Sequence, residues 1–354
     1  MARFHRLRVA AVDRLTEDSV ALTLAVPPEH TRDFRHVPGQ HLTLRRFVGG
    51  REERRTYSIC SPAPDPRAAA PELLRVGIRL VEGGSFSTYA AKEIAVGDQL
   101  EAMPPAGRFT LRPAPGHYAA IVGGSGITPV LSIASTLLAC EPAARFCLVR
   151  GDRTSASTMF LEEVADLKDR FRERFHLVTM LSREEQQAGL PSGRLDRARL
   201  AALLPVLLPV GGIDGWFLCG PQGLVRAAES ALEDLAVRRD RVHQEIFHVD
   251  SPAPDSDPLP TLNHGTITAR LDGRSGTWSV RQGESVLDTV LRNRADTPYA
   301  CKGGVCGTCR ALLVSGEVRM DRDYALEAEE MERGYVLACQ SRPMTEAVEV
   351  DFDR

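Results

Sequence analysis

Four of the eight cysteines stand in a pattern that can hold a metal cluster. Cys301, Cys306, Cys309 and Cys339 follow the spacing C-x4-C-x2-C-x29-C, with the first three inside CKGGVCGTC. This is the ligand spacing of a plant-type [2Fe–2S] centre, in which each iron takes two thiolates. A tight loop can bring three sulfurs together, and the fourth must arrive from elsewhere. Gly303, Gly304 and Gly307 let that loop wrap the cluster with its N–H groups turned to sulfur, which favours the extra charge of the reduced state. Zinc is the alternative for four thiolates. Structural zinc sites usually use two close ligand pairs, however, and only Cys306 and Cys309 form one here. Cys60, Cys140 and Cys147 lack such grouping and read as core or strand residues.

A second set of residues could serve a flavin. Arg54–Ser61 reads RRTYSICS. Arg55 can pair with a phosphate, Tyr57 can stack on an isoalloxazine, and Ser58 can hydrogen-bond near its N5; a half-buried strand is the plain alternative. Downstream, Glu82–Tyr89 reads EGGSFSTY. Its glycines and hydroxyls suit a phosphate-binding turn, with Ser87 and backbone N–H groups as donors, although a simple glycine turn reads the same way. Ile59, Gly84 and Phe86 complete the candidates in these two motifs.

A third set suits a pyridine nucleotide. Gly123–Pro129, GGSGITP, lies between an apolar run and a helical one. It is not the G-x-G-x-x-G fingerprint, but Gly124, Ser125 and Gly126 allow close approach of a pyrophosphate, and Pro129 fits a first helical position; Thr128 lies in the same turn. Cys219, Gly220 and Pro221 end a short strand, where α/β sheets bind ligands. Cys219 could meet the nicotinamide C4, or be a buried strand-end thiol. Ser182 and Arg183 follow another strand, with Arg153 as a further cation, and could hold the 2′-phosphate of NADPH.

The elements that must position these groups fall into three segments. Residues 1–112 carry short alternating runs such as Ser19–Val26 and His41–Leu44, punctuated by Pro and Gly, which predicts an antiparallel β-barrel. Residues 113–250 alternate short buried strands (Tyr118–Val122, Phe146–Val149, Leu177–Leu181, Gly215–Cys219) with helical stretches such as Pro129–Cys140, which predicts a parallel sheet covered by helices. The Pro-rich run Asp250–Pro260, DSPAPDSDPLP, marks a linker, set at residues 251–261. The segment 262–354 opens with a hairpin, Thr266–Asp272 and Thr277–Arg281, and then a helix capped by Ser285 with Asp288 three residues on.

Taken together, RTYSICS, EGGSFSTY, GGSGITP, LCGP, the Glu245–Phe247 segment and CKGGVCGTC…LACQSRP resemble, in that order, the ferredoxin–NADP reductase superfamily fused to a C-terminal plant-type ferredoxin domain. The likeness spans essentially the whole chain. It implies an FAD-binding barrel, an α/β NAD(P) domain and a β-grasp [2Fe–2S] domain. It implies FAD on Arg55, Tyr57, Ser58 and Ser87, and nucleotide on GGSGITP and Cys219–Pro221. Glu245 is then expected near the flavin as a proton relay, and Phe247 over its nicotinamide face. Plant-type reductases end at a stacking aromatic, whereas this chain continues beyond that point. Ser58, Cys219 and Glu245 are the candidate catalytic groups.

The opening ARFHRLRVAAV, the stretch PYACKGGVCGTCRALLVSGEVRMDRDYALE and the ending VEVDFD carry a nearer likeness to reductases of multicomponent oxygenases, those of phenylacetyl-CoA epoxidation and 3-ketosteroid 9α-hydroxylation among them. The implied electron path runs from NADPH, with NADH as the alternative donor, through FAD and the cluster to a separate, di-iron oxygenase. A non-catalytic carrier or redox-sensing subunit is the reading from another class. Net charge is −3. Neither nucleic acid nor an anionic membrane is therefore an expected partner. The opening residues contain no export-type apolar run, so a cytoplasmic site with reduced thiols is expected.

Overall fold

The computed structural model describes residues 4–64, 72–184, 192–248 and 265–354. The expected linker, 251–261, lies outside these described residues. Two compact units result, one built from His5–Glu53 and Tyr57–His248, the other from Phe4, Arg54–Thr56 and the residues from 265 onward.

The first unit opens with six strands, His5–Thr16 (β1), Ser19–Ala25 (β2), His41–Val48 (β3), Arg51–Ser58 (β4), Leu73–Arg79 (β5) and Gln99–Ala102 (β6). They form one sheet in the order β4-β3-β6-β1-β2-β5, and an antiparallel bridge between Ile59 and Val76 joins its two edges into a barrel. A helix, Ser85–Lys92 (α1), follows β5. The period-2 alternation of β2 sends Val20, Leu22 and Leu24 into the barrel core. Ala21 on the opposite face joins a different core.

That second core belongs to a parallel sheet. Strands His117–Gly123 (β7), Arg145–Asp152 (β8), Phe175–Leu181 (β9), Gly215–Pro221 (β10) and Val242–His248 (β11) lie in the order β11-β10-β7-β8-β9, connected through helices Ile127–Cys140 (α2), Leu161–Arg170 (α3), Arg197–Leu207 (α4) and Gln222–Asp234 (α5). Ala21, Cys60 and Phe109 of the barrel region pack among Tyr118, Val130, Phe160 and Phe217. Because they share this core, the barrel and the nucleotide sheet form one compact unit with two sheets. The helix start also differs from the sequence expectation. A 3-10 turn, Gly124–Gly126, leads directly into α2 at Ile127, so Pro129 is its third residue rather than its first. Its missing N–H still costs nothing there, because the first-turn donors have no intrahelical acceptor.

The C-terminal unit is a β-grasp. Thr266–Leu271 (β12), Arg274–Ser279 (β13), Arg310–Ser315 (β14), Val318–Met320 (β15), Tyr335–Leu337 (β16), Ser341–Pro343 (β17) and Ala347–Asp351 (β18) accompany helices Val286–Leu291 (α6) and Ala328–Glu332 (α7). The main sheet runs β13-β12-β18-β14-β16, with β12 and β18 parallel. The opening hairpin turns at Asp272-Gly273, both with positive φ (52° and 71°). This is the two-residue turn that an Asp-Gly pair favours. It brings the second strand back at Arg274, earlier than expected. Ser285 and Asp288 form the expected reciprocal cap on α6.

Candidate redox site

Parallel pairing places Cys219 of β10 in register with Val122 of β7 on one side and Glu245 of β11 on the other. Cys219 is fully buried, and its Sγ lies 4.0 Å from Glu245 Oε2. Ser58, the last residue of β4, is also buried, and its hydroxyl hydrogen-bonds the same carboxyl. The ring of His41, the first residue of β3, puts Nδ1 3.9 Å from Glu245 Oε1. Four strands from two sheets therefore converge on one carboxyl group.

Burial drives the Glu245 carboxyl up to about 8, against the lowering effect of the Ser58 hydrogen bond. Burial also drives the His41 imidazole down to about 4. At neutral pH the two are thus a protonated acid beside a neutral base, not an ion pair. A buried carboxyl held near pH 8 is suited to giving and taking a proton. The Cys219 thiol is raised well above its usual range, by burial first and by Glu245 second, so it stays a thiol. His41 Nε2 is buried with no hydrogen-bond partner among the described residues. A polar cofactor edge fits such an atom.

The flavin-phosphate candidates lie at the start of α1. That helix begins at Gly84 with no side-chain cap, which leaves first-turn N–H groups for an anion. Arg46 of β3 reaches the Ser85 hydroxyl there and lies over the Tyr89 ring at 4.5 Å. Tyr57 is half-buried, 5.6 Å from the Phe86 ring. Arg55 is exposed on β4 and donates to the Arg54 carbonyl.

Several predicted contact residues point inward instead. Ser87 donates its hydroxyl to the Gly84 carbonyl at 3.1 Å and accepts from the Val81 N–H, so it shapes the turn it was expected to offer to phosphate. Ile59 and Phe86 are barrel-core residues. Thr128 is buried with its hydroxyl on the Ser125 carbonyl, and Pro129 is buried beside it. Apolar packing and turn closure engage these side chains within the chain.

The GGSG turn lies against β10. A Cβ on Gly126 would stand 2.2 Å from the Cys219 carbonyl oxygen, so only glycine permits this approach. Gly124 and Ser125 are partly exposed above it, Gly220 lies directly beneath Gly123, and Pro221 is exposed at the strand end. Phe247 is half-buried against the nucleotide-sheet core. Farther along the same sheet edge, Arg183 donates its N–H to the Arg153 carbonyl and Ser182 to the Asp152 carbonyl. All three predicted 2′-phosphate contacts therefore emerge together, exposed, at adjacent strand ends. A buried Arg150–Asp152 pair, 2.8 Å apart, supports them, with Arg150 also holding the Met159 carbonyl.

In the C-terminal unit the four cysteines come together as their spacing requires. Cys301 is hydrogen-bonded with Cys306, and Cys309 with Cys339. The N–H groups of Gly303, Val305 and Cys306 bond to Cys301 sulfur, and Gln340 Nε2 reaches Cys339 Sγ at 3.2 Å. Gly304 and Gly307 take positive φ in this loop, whereas Gly303 does not. Two sulfur pairs supplied with N–H donors fit a [2Fe–2S] cluster, in which each iron takes two thiolates.

The sequence reading missed His41, Arg46 and Arg79. The last of these lies under the nucleotide turn, its Nη1 2.8 Å from where a Gly124 Cβ would be. Only His41 had a usable signal, as a histidine opening a short alternating run, His41–Leu44.

Comparison with known families assigns each of the three expected regions. Residues 6–111 match the family described as the oxidoreductase FAD-binding domain, 120–230 the oxidoreductase NAD-binding domain, and 269–344 the 2Fe-2S iron-sulfur cluster binding domain. The chain belongs to the NAD(P)H-dependent flavin and iron–sulfur reductases. It is 41% identical to a subunit of the 1,2-phenylacetyl-CoA epoxidase of Escherichia coli (strain K12), covering 100% of this chain and 99% of that one. It is 33% identical to the ferredoxin reductase component of 3-ketosteroid-9-alpha-monooxygenase from Rhodococcus rhodochrous, over 98% of this chain and 96% of that one. The structure of phthalate dioxygenase reductase shares the fold, with a TM-score of 0.60 at 23% identity, covering 99% of this chain and 98% of that one. In this reductase electrons pass from NAD(P)H to FAD and then to the [2Fe–2S] cluster. No helix among the described residues is long and apolar enough to cross a membrane.

Proposed function

We propose that this reductase draws electrons from NADPH and delivers them, through its cluster, to a separate multicomponent oxygenase that epoxidises phenylacetyl-CoA at a di-iron centre. The observation that carries the reading is the 41% identity, held from end to end, to a component of such an epoxidase. The convergence of Ser58, His41, Cys219 and Glu245 supports the hydride-accepting end of the path. The bound flavin would take a hydride and release its electrons singly, and the cluster would accept one at a time. The protein's own part is to orient, through Ser58 and Cys219, and to hold a proton on Glu245. Cys301, Cys306, Cys309 and Cys339 hold the cluster. Arg55, Tyr57 and the start of α1 would hold FAD, and Gly124–Gly126 with Cys219–Pro221 the nucleotide. The flavin region ends near 112, the nucleotide region near 250, and the ferredoxin region starts near 262. A cluster on free thiolates suits a reducing, cytoplasmic setting.

Reconstitution tests this directly. The purified reductase, NADPH and a phenylacetyl-CoA epoxidase oxygenase should consume oxygen and substrate together. NADPH oxidation without epoxide product, alongside turnover with a steroid oxygenase, would favour the 3-ketosteroid relative as the guide instead.

A further inference from the structure

Arg153 and Arg183 leave the ends of β8 and β9 side by side, and among the described residues neither guanidinium has a carboxylate or hydrogen-bond partner. An acidic residue, Glu184, follows Arg183 immediately. A free carboxylate at that position would be the natural partner for both arginines. The structure holds it elsewhere. Glu184 accepts from the Ser155 N–H at 2.8 Å, and from the Ser155 hydroxyl at 3.0 Å to each carboxylate oxygen. Ser155 is itself fixed, because Thr154 and Ser157 cap one another across the same turn. The buried Arg150–Asp152 pair precedes that turn in the chain, and Arg150 also holds the Met159 carbonyl just after it.

We propose that the Ser155–Glu184 contact is a specificity latch. It parks the Glu184 carboxylate away from Arg153 and Arg183 and so leaves both cations to the 2′-phosphate of NADPH. Released from Ser155, Glu184 competes with that phosphate for the same guanidinium groups, and the preference moves toward NADH. The inference rests on the reading of Arg153 and Arg183 as the 2′-phosphate site and goes beyond it by naming what keeps that site open. Ser155→Ala removes the hydroxyl's two contacts and keeps the N–H contact. Glu184→Gln removes the competing charge whatever its position.

The test uses full-length oxidised holoprotein and equilibrium binding of adenosine 2′,5′-bisphosphate, with 5′-AMP as the control lacking the 2′-phosphate. The wild type should bind the bisphosphate more tightly than 5′-AMP, and Arg183→Ala should narrow the difference. Ser155→Ala should weaken the bisphosphate roughly three- to tenfold, the scale of one screened charge-assisted contact, and leave 5′-AMP unchanged. Glu184→Gln alone should bind at least as tightly as wild type, and Ser155→Ala/Glu184→Gln should regain wild-type affinity or better. An unchanged affinity in Ser155→Ala overturns the latch, as does a double variant as weak as Ser155→Ala. Glu184→Gln weakening the bisphosphate as much as Ser155→Ala would show a plain loop staple and overturn it too. If the wild type does not distinguish the two ligands and Arg183→Ala changes nothing, the 2′-phosphate reading itself fails, and the latch with it.

Discussion

The Cys219 thiol and the Glu245 carboxyl face one another from register-paired residues on adjacent parallel strands, 4.0 Å apart. The pairing fixes both groups at the carboxyl edge of the sheet, where nucleotide binds in folds of this kind. Ser58 and His41 approach the same carboxyl from the barrel.

The Glu245 carboxyl is held at about 8, so it is protonated below that pH and ionised above it. NADPH–ferricyanide reductase activity should therefore fall as pH rises through about 8. Glu245→Gln should remove that inflection and lower the neutral-pH rate by about a hundredfold, the usual scale of a lost acid–base group. A pH–rate profile in the variant that keeps the wild-type inflection would move the titrating group elsewhere.

The same shift has a consequence for folding. A carboxyl whose folded pKa is raised contributes stability that is fully present below its unfolded pKa and lost as pH rises through its folded value. Chemical denaturation at rising pH should show wild type losing stability relative to Glu245→Gln up to about pH 8 and levelling off above it. The buried His41, pushed to about 4, acts in a different window, between about 6.5 and 4, where acid must charge it. Parallel curves for wild type and Glu245→Gln below about pH 8, where only the folded carboxyl keeps its proton, would contradict the assignment.

Cys306→Ala should abolish the visible bands and electron paramagnetic resonance signal of the cluster while flavin remains bound. The flavin candidates all belong to the barrel region, so they need no thiolate from the C-terminal unit. Measured iron should fall from about two per chain to near zero, as expected for a cluster that needs four ligands. A normal signal in that variant would remove Cys306 from the ligand set.

A fragment ending at His248 should fold, keep flavin and reduce ferricyanide with NADPH. The barrel and nucleotide sheet share a core and form one compact unit without the C-terminal region. It should reduce cytochrome c poorly, because the one-electron exit is gone. Failure to reduce ferricyanide with flavin in place would refute the nucleotide site within 113–250.

What was legible in the sequence was local. The C-x4-C-x2-C spacing holds its chemistry within nine residues, and the Ser285–Asp288 cap and the alternation of β2 need only neighbours in the chain. The missing pieces depended on distant pairing. His41 and Arg46 gain their meaning from Glu245 and Ser85, which the chain order does not reveal. Thr128, Phe86 and Ile59 lie inside the motifs, but the motif does not say which side chains turn inward. Ala21 and Cys60 look like ordinary barrel residues, and only the fold shows that they join the barrel core region to the nucleotide sheet.

The central claim is an electron path from NADPH through flavin to the cluster. An anaerobic titration of the full-length protein with NADPH, followed by flavin absorbance and by the electron paramagnetic resonance of the cluster, tests it most directly. The account predicts that the flavin band bleaches and that the reduced-cluster signal appears as further NADPH is added, while Cys306→Ala shows the bleaching alone. A flavin that bleaches fully in the wild type while the cluster stays oxidised would contradict it.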